Sequence, residues 1–261
     1  LNYVCALSIA GSDCSGGAGI QADLKTIAAH KMYGMSVITA LTAQNTMGVY
    51  GVQEATSEFV SLQLDCIMQD IFPDSVKIGM VSSAAIIVEI AEKLKQYNPK
   101  NIIVDPVMIS TSGSRLLNDD AMDALITKLI PLATLITPNI PEAECLSGVS
   151  IKTKEDMQKA AEKIAEQYDG YILLKGGHLE HSADDLLYHQ GEVSWFSGER
   201  INNPNTHGTG CTLSSAIACQ LAAEHDMKTS ILLAKQYLTD ALKAQLDLGK
   251  GSGPLNHCYR N

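Results

Sequence analysis

Residues 101–107 read NIIVDPV, and the reading of this stretch decides the fold. Ile102, Ile103 and Val104 are consecutive apolar, β-branched residues with no polar face alternating between them. A strand of that kind is buried on both sides, as a central strand of a parallel sheet is. Asp105 and Pro106 end the apolar run. Asp105 therefore stands at a strand's carboxyl end, where open α/β sheets bind their ligands.

The same rhythm extends in both directions. YVCALSIAG (3–11), SVITALTAQN (36–45), SVKIGMV (75–81), TLITPN (134–139) and YILLKGG (171–177) read as strands. Between them lie helical patterns: GIQADLKTIAAHKM (19–32), SEFVSLQLDCIMQDI (57–71, with Ser57 as N-cap), SAAIIVEIAEKLKQY (83–97), DDAMDALITKLIPLA (119–133) and TKEDMQKAAEKIAEQY (153–168, capped by Thr153). Strands alternating with helices predict a mostly parallel sheet covered on both faces. DDLLYHQGEVSWFSG (184–198) predicts an antiparallel edge hairpin turning at Gln190-Gly191, followed by helices from Thr209 and from Lys228. No linker or repeat divides the chain, so a single domain over 1–261 is expected.

Composition narrows the function. The 261 residues carry a formal net charge of −10 with no basic cluster, which argues against nucleic acid and anionic membrane as partners. No apolar stretch approaches the roughly 20 residues of a membrane span. The seven cysteines are scattered without a CxxC, which disfavours structural zinc and fits reduced thiols in a cytoplasm. YVCALSIAG lacks the basic leader of a signal peptide, and a residue or short leader before Leu1 is left open.

Polar and glycine-rich clusters fall at the predicted strand ends. AGSDCSGGAGIQAD (10–23) is neither a GxGxxG nor a P-loop, which counts against a nicotinamide dinucleotide; it is either a tight turn or a place where backbone approaches a small ligand. In NTHGTGCT (205–212), Gly208, Thr209 and Gly210 lead into an apolar helix, so N–H groups and the helix's positive end face one point: an anion hole, or else a plain glycine cap. Cys211 on that first turn is either a small buried hydrophobe or a thiol whose pKa the helix lowers. Asp105 is a capping residue or a group that orients a magnesium-bound nucleotide. Glu142, in TPNIPEAE (137–144), is a first-turn acid or an outer-sphere magnesium ligand. Lys175 ends an apolar strand and precedes Gly-Gly, which disfavours a solvated surface role. His178 and His181 lack a spaced partner set, so no metal site is assigned there.

The motifs AGSDCSGGAGIQADLKT, ITALTAQNT, VKIGMV, VDPVM, ITPNIPEAE, LLKGGH and NTHGTGCTLSSAIA, in this order from Ala6 to Gly253, closely resemble the hydroxymethylpyrimidine/phosphomethylpyrimidine kinases of thiamine biosynthesis. The resemblance implies a ribokinase-like three-layer αβα sandwich and ATP-dependent phosphorylation of the pyrimidine's hydroxymethyl group, then of the monophosphate. It implies a pyrimidine pocket of Ala18, Asp23, Gln44, Met80 and Val107. Asn139, Glu142, Lys175 and Thr206 would face the ATP phosphates and Mg²⁺, with Asp105 nearby. Gly208 to Cys211 would form the anion hole, and Cys211 stands where most ribokinase-like enzymes hold an aspartate. Gln44 makes independent sense, because an amide answers the donor–acceptor edge of a 4-aminopyrimidine. Met80 and Val107 likewise match a flat heteroaromatic ring. Cys14 departs from the proline common in relatives. The expected partners are the pyrimidine, ATP and a second copy of the chain in a cytoplasmic dimer. Two alternatives stand beside this reading: a pyridoxal kinase on the same fold, and a non-catalytic pyrimidine-binding protein.

Overall fold

The computed structural model describes residues 3–108, 117–177 and 183–260. A nine-stranded sheet runs through them in the order β3-β2-β1-β4-β5-β6-β7-β8-β9. In chain order the elements are β1 (Cys5–Asp13), α1 (Gly19–Ala29), β2 (Tyr33–Asn45), β3 (Gly48–Glu54), α2 (Ser57–Met68), β4 (Ser75–Ile78), α3 (Ala84–Tyr97), β5 (Ile102–Val104) and α4 (Asp119–Ala124). They continue with β6 (Leu135–Ile136), α5 (Ile140–Ser147), α6 (Lys154–Ala165), β7 (Tyr171–Leu174), β8 (Asp185–His189), β9 (Glu192–Phe196), α7 (Thr209–Ala222) and α8 (Met227–Lys243). β2, β1, β4, β5, β6 and β7 are parallel, and β3, β8 and β9 add antiparallel pairings at the two edges.

The central strands are buried on both faces, and their residues alternate between two cores. Ile102, Val104, Ile136, Ile172 and Leu174 join the core under α2 to α6. Their neighbours Ile103, Leu135 and Leu173 join the core under α7 and α8. This period-2 division turns an uninterrupted apolar run into the middle layer of a sandwich. The two helix layers are thus served by strands only two to four residues long in β5, β6 and β7.

Two expectations need correction. The cap of α2 is Thr56, whose hydroxyl accepts from Phe59 N–H, and Ser57 is the first helical residue. The 119–133 pattern is no continuous α-helix: α4 passes into a π-turn at Leu125–Leu129 and a 3₁₀ turn at Ile130–Leu132. Pro131 supplies no N–H with which an α-helical ladder could resume after the π-turn. Gln44 lies within β2, as the strand reading of 36–45 has it, opposite Val49 of β3. The strand β3 has no buried face to pattern its sequence, which is why its residues do not read as a strand. His178 and His181 lie outside the described residues.

Candidate active site

The parallel strands deliver their carboxyl ends to one edge of the sheet, and the loops there interlock through glycine. Gly208 caps α7 with φ +86, and a Cβ on it would lie 2.0 Å from Gly17 O. Gly17 in turn would collide with His207 Cδ2 at 2.4 Å. The loop after β1 and the loop before α7 therefore approach to backbone contact, which only unsubstituted residues permit.

At the ends of β5, β6 and β7, Asp105 Oδ1 accepts from Lys175 Nζ at 2.9 Å and from Thr137 Oγ1 at 3.0 Å. Burial by itself would lower the Lys175 pKa, but Asp105 and Glu142 beside it raise it, so the ammonium stays charged. Burial opposes ionisation of Asp105 as well, and Lys175 and Lys77 outweigh it. A Cβ on Gly210 would lie 3.3 Å from Asp105 Oδ2 and 3.5 Å from Lys175 Nζ, so the first turn of α7 abuts this pair. No hydrogen-bond partner for Gly210 N–H or Cys211 N–H is found among the described residues. Unpartnered N–H groups at a helix start, facing a held ammonium, form an anion site.

Glu142 and Asn139 cap α5 reciprocally: Glu142 N–H donates to Asn139 Oδ1 at 2.9 Å and Asn139 N–H to Glu142 Oε2 at 2.8 Å. Burial pushes the Glu142 carboxyl up to about 7, with Lys175 opposing and Asp105 reinforcing that shift. Asn139 also bridges to Lys175 between strand ends, where Lys175 N–H donates to Pro138 O at 2.9 Å. Thr206 is exposed, and its side chain meets Ser252 rather than Lys175 or Asp105. Its carbonyl accepts from Thr209 N–H, so it shapes the lead into α7.

Ala18, Gln44, Met80 and Val107 stand half-buried at the ends of the neighbouring β1, β2, β4 and β5. Met80 packs close to Gly11, where a Cβ would meet its Cε at 2.7 Å. Asp23 does not join them at the surface. It is 0% exposed, and its carboxylate receives Lys77 Nζ (2.9 and 2.8 Å), Ser8 Oγ (2.6 Å) and Ser215 Oγ (2.7 Å). Asp23 thus ties α1, β1, β4 and α7 together below the site, with no oxygen turned toward a ligand.

Of the two readings of Cys211, the lowered pKa is the one that does not hold. Burial pushes the thiol up, and Lys77 and the Gly19 N–H only partly offset burial, Asp23 and Asp105. At neutral pH Cys211 is a thiol.

Three residues at or beneath this edge escaped the sequence reading. Lys77 interrupts the apolar run SVKIGMV at an inward position, and that interruption is its signal. Asp13 accepts from the loop it precedes, through Ser15, Gly17 and Ala18 N–H. His207 Nε2 reaches Asp13 Oδ2 at 2.9 Å across a separation of 194 residues, which no local pattern displays.

A separate cavity of about 260 Å³, lined by His30, Lys31, Tyr237, His257 and Arg260, lies at the other end of α1 and holds none of these residues.

Layer order and the anion site at the edge of the parallel strands agree with the ribokinase-like phosphotransferase fold that the resemblance implies. Comparison narrows the class. The family model for phosphomethylpyrimidine kinase matches residues 13–256. The chain belongs to the phosphomethylpyrimidine kinase family. It is 42% identical over 254 residues to the hydroxymethylpyrimidine/phosphomethylpyrimidine kinase of Bacillus subtilis, covering 97% of this chain and 94% of that one. It is 48% identical over 252 residues to the thiamine biosynthesis bifunctional protein ThiED of Geobacter sulfurreducens, spanning 96% of this chain but only 51% of that protein. Among solved structures, the phosphomethylpyrimidine kinase of Clostridium difficile 630 superposes with TM-score 0.83 at 49% identity, covering 91% of this chain and 99% of that one. The ADP complex of Bacillus subtilis pyridoxal kinase superposes with TM-score 0.92 at 38% identity, covering 99% of each chain.

Proposed function

We propose that the chain transfers the γ-phosphoryl group of ATP to the hydroxymethyl oxygen of 4-amino-5-hydroxymethyl-2-methylpyrimidine, and then phosphorylates the monophosphate to the diphosphate, in thiamine biosynthesis. The observation that carries the reading is the abutment of the α7 first turn on the Lys175–Asp105 pair. Phosphoryl transfer has a loose transition state with charge spread over the equatorial oxygens, so positioning and electrostatic stabilisation dominate. Gly210 and Cys211 N–H groups would receive that charge from one side and the Lys175 ammonium from another. Gln44 would pair with the aminopyrimidine edge, and Met80 and Val107 would flank the ring.

Asp105 and Glu142 suit Mg²⁺ as hard oxygen donors. Among the described residues no group of three His, Cys, Asp or Glu gathers as a metal cage. An ion here would take its remaining ligands from phosphate oxygens and water, as Mg²⁺ does with nucleotides. When bound it would neutralise phosphate charge. Lys175, held by Asp105, would orient the transferred group.

The similarity to pyridoxal kinase supports pyridoxal as the second candidate substrate. A panel of hydroxymethylpyrimidine, its monophosphate and pyridoxal with ATP and Mg²⁺ decides between them: higher kcat/KM on pyridoxal overturns the pyrimidine reading. We read the chain as one kinase domain acting as a dimer in the cytoplasm. No helix among the described residues is long and apolar enough to cross a membrane.

A further inference from the structure

Thr46 closes the AQNT motif (43–46), and the transfer described above does not use it. With Met47 it forms the turn between β2 and β3, two residues beyond Gln44. Asn45 Oδ1 accepts from Met47 N–H at 2.8 Å and sets the bend. Burial does not hold this tip in place. The edge strand β3 is exposed along almost its whole length, and Met47 and Val49 are 61% and 56% exposed. The register of the hairpin also shifts between Ala43 and Gln44, an irregularity of the kind that re-aims a side chain. The place of Gln44 therefore depends on polar contacts to neighbouring segments. On the β1 side, Thr42 Oγ1 donates to Ser12 O at 2.8 Å and Cys14 Sγ to Gln44 O at 3.1 Å.

Beyond Gln44 the tip is tied to residues 249–253, a strap that follows α8. Thr46 Oγ1 accepts from Lys250 N–H at 3.1 Å and from Gly251 N–H at 3.2 Å, one donor for each lone pair of the hydroxyl oxygen. The two backbones approach closely. Gly249 has φ +96, and a Cβ on Gly249 or Gly251 would collide with Thr46. The other end of the strap is woven into the lead of α7. Gly253 N–H donates to Asn205 Oδ1 at 2.8 Å, and Gly253 O accepts from His207 N–H at 3.2 Å. Ser252 Oγ accepts from Thr206 N–H at 3.3 Å. Asn205 is itself buried, and its amide donates to Leu246 O at 3.0 Å. The strap thus has the turn beside Gln44 at one end and the approach to the α7 anion site at the other.

We infer that Thr46 is a positioning residue for phosphoryl transfer: through residues 249–253 it sets the separation between the hairpin that carries Gln44 and the anion site at the start of α7. This rests on the kinase reading above. The alcohol held by the hairpin must meet the phosphoryl group held by α7 at near-attack distance, and a displacement of about 1 Å costs up to about 100-fold in rate. Thr46 acts here through the strap rather than on a substrate. The groups assigned above to the ATP phosphates stand at the ends of β5 and β7 and on α5 and α7. Nucleotide binding therefore does not depend on the Thr46 hydroxyl, whereas the rate of transfer does.

The test compares kcat, KM for hydroxymethylpyrimidine and KM for ATP in wild type, Thr46→Val, Thr46→Ser and Gly251→Ala. Thr46→Val keeps the shape of the side chain and removes its acceptor. It is expected to lower kcat about tenfold or more, with KM for ATP unchanged and the melting temperature within about 4 °C of wild type. Thr46→Ser retains the hydroxyl oxygen and restores most of the rate. Gly251→Ala, whose Cβ drives the strap away from Thr46 O without altering a side chain of the site, reproduces the Thr46→Val loss. An unchanged kcat in folded Thr46→Val enzyme overturns the inference. A loss that Thr46→Ser fails to restore, or one matched by an equal rise in KM for ATP, marks a general loosening of the fold and overturns it as well. Should Thr46→Val fail to fold, Gly251→Ala carries the same expectation and the same refutation. A wild type that phosphorylates pyridoxal but neither hydroxymethylpyrimidine nor its monophosphate overturns the function reading itself, and the Thr46 comparison is then made on pyridoxal.

Discussion

Lys175 Nζ and Asp105 Oδ1 are 2.9 Å apart although β7 and β5, the strands that deliver them, are separated by β6. Thr137, at the end of β6, bonds the same Asp105 oxygen and completes the bridge. Lys175→Met leaves Asp105 buried without its nearest cation. Breaking a buried pair in this way should cost about 3 kcal/mol of stability. Turnover should fall by roughly 10²- to 10³-fold, since a donor to the developing charge is lost. Adding Asp105→Asn should recover stability in urea titrations and leave single-turnover rates low; recovery of rate would mean that Lys175 acts on the fold alone.

Gly210 sits inside the first turn of α7 with φ in the ordinary range, so Ala suits the helix there and adds up to about 1 kcal/mol of propensity. The new Cβ, however, would crowd Asp105 Oδ2 at 3.3 Å and come into contact with Lys175 Nζ at 3.5 Å. Gly210→Ala should therefore keep the melting temperature within about 4 °C of wild type, while kcat falls by about tenfold or more as the anion site narrows. Gly208→Ala should instead unfold the loop, because its Cβ would lie 2.0 Å from Gly17 O at φ +86.

Burial, Asp23 and Asp105 keep the Cys211 thiol protonated at neutral pH. Cys211→Ala should accordingly lower kcat by less than about tenfold. A loss in the range of about 10² to 10⁴ would identify the thiolate as a general base.

The ionised Asp13 holds the loop after β1 and His207. Its folded pKa is depressed relative to the unfolded chain, so its stabilisation is present above the unfolded value of about 3.9 and is lost as pH falls below it. Asp13→Asn should destabilise the protein by on the order of 2 kcal/mol at pH 7. In denaturant titrations, that difference should shrink progressively as pH is lowered through 4; a pH-independent difference would place the effect in loop geometry.

The β1, β4, β5, β6 and β7 strands were legible because each is an apolar run that ends in a polar or glycine cluster. Thr153, the Gln190-Gly191 turn and the start of α7 were legible because caps and turns are local chemistry. By contrast β3 is almost wholly exposed, so burial left no periodic mark on it. Asp23 was expected in the pyrimidine pocket only because the resemblance implied it, and no local pattern showed which way its carboxylate turns. Lys77, 54 residues away and fully buried, takes that carboxylate inward.

The sequence by itself determined the alternation of strands and helices, the glycine turn ahead of α7 and the set of polar residues at the strand ends. Each of these follows from hydrophobic period and backbone freedom over a few neighbouring residues. The tertiary structure decided which side chains meet: Lys175 with Asp105, Asp23 with Lys77, and His207 with Asp13 and Gln44. It also decided the direction of the Cys211 shift, since burial and the charges of Asp23, Asp105 and Lys77 depend on how α1, α7, β4 and β5 pack together. Charge, burial and hydrogen-bond polarity are properties of a place in space, and residues far apart in the chain create them jointly.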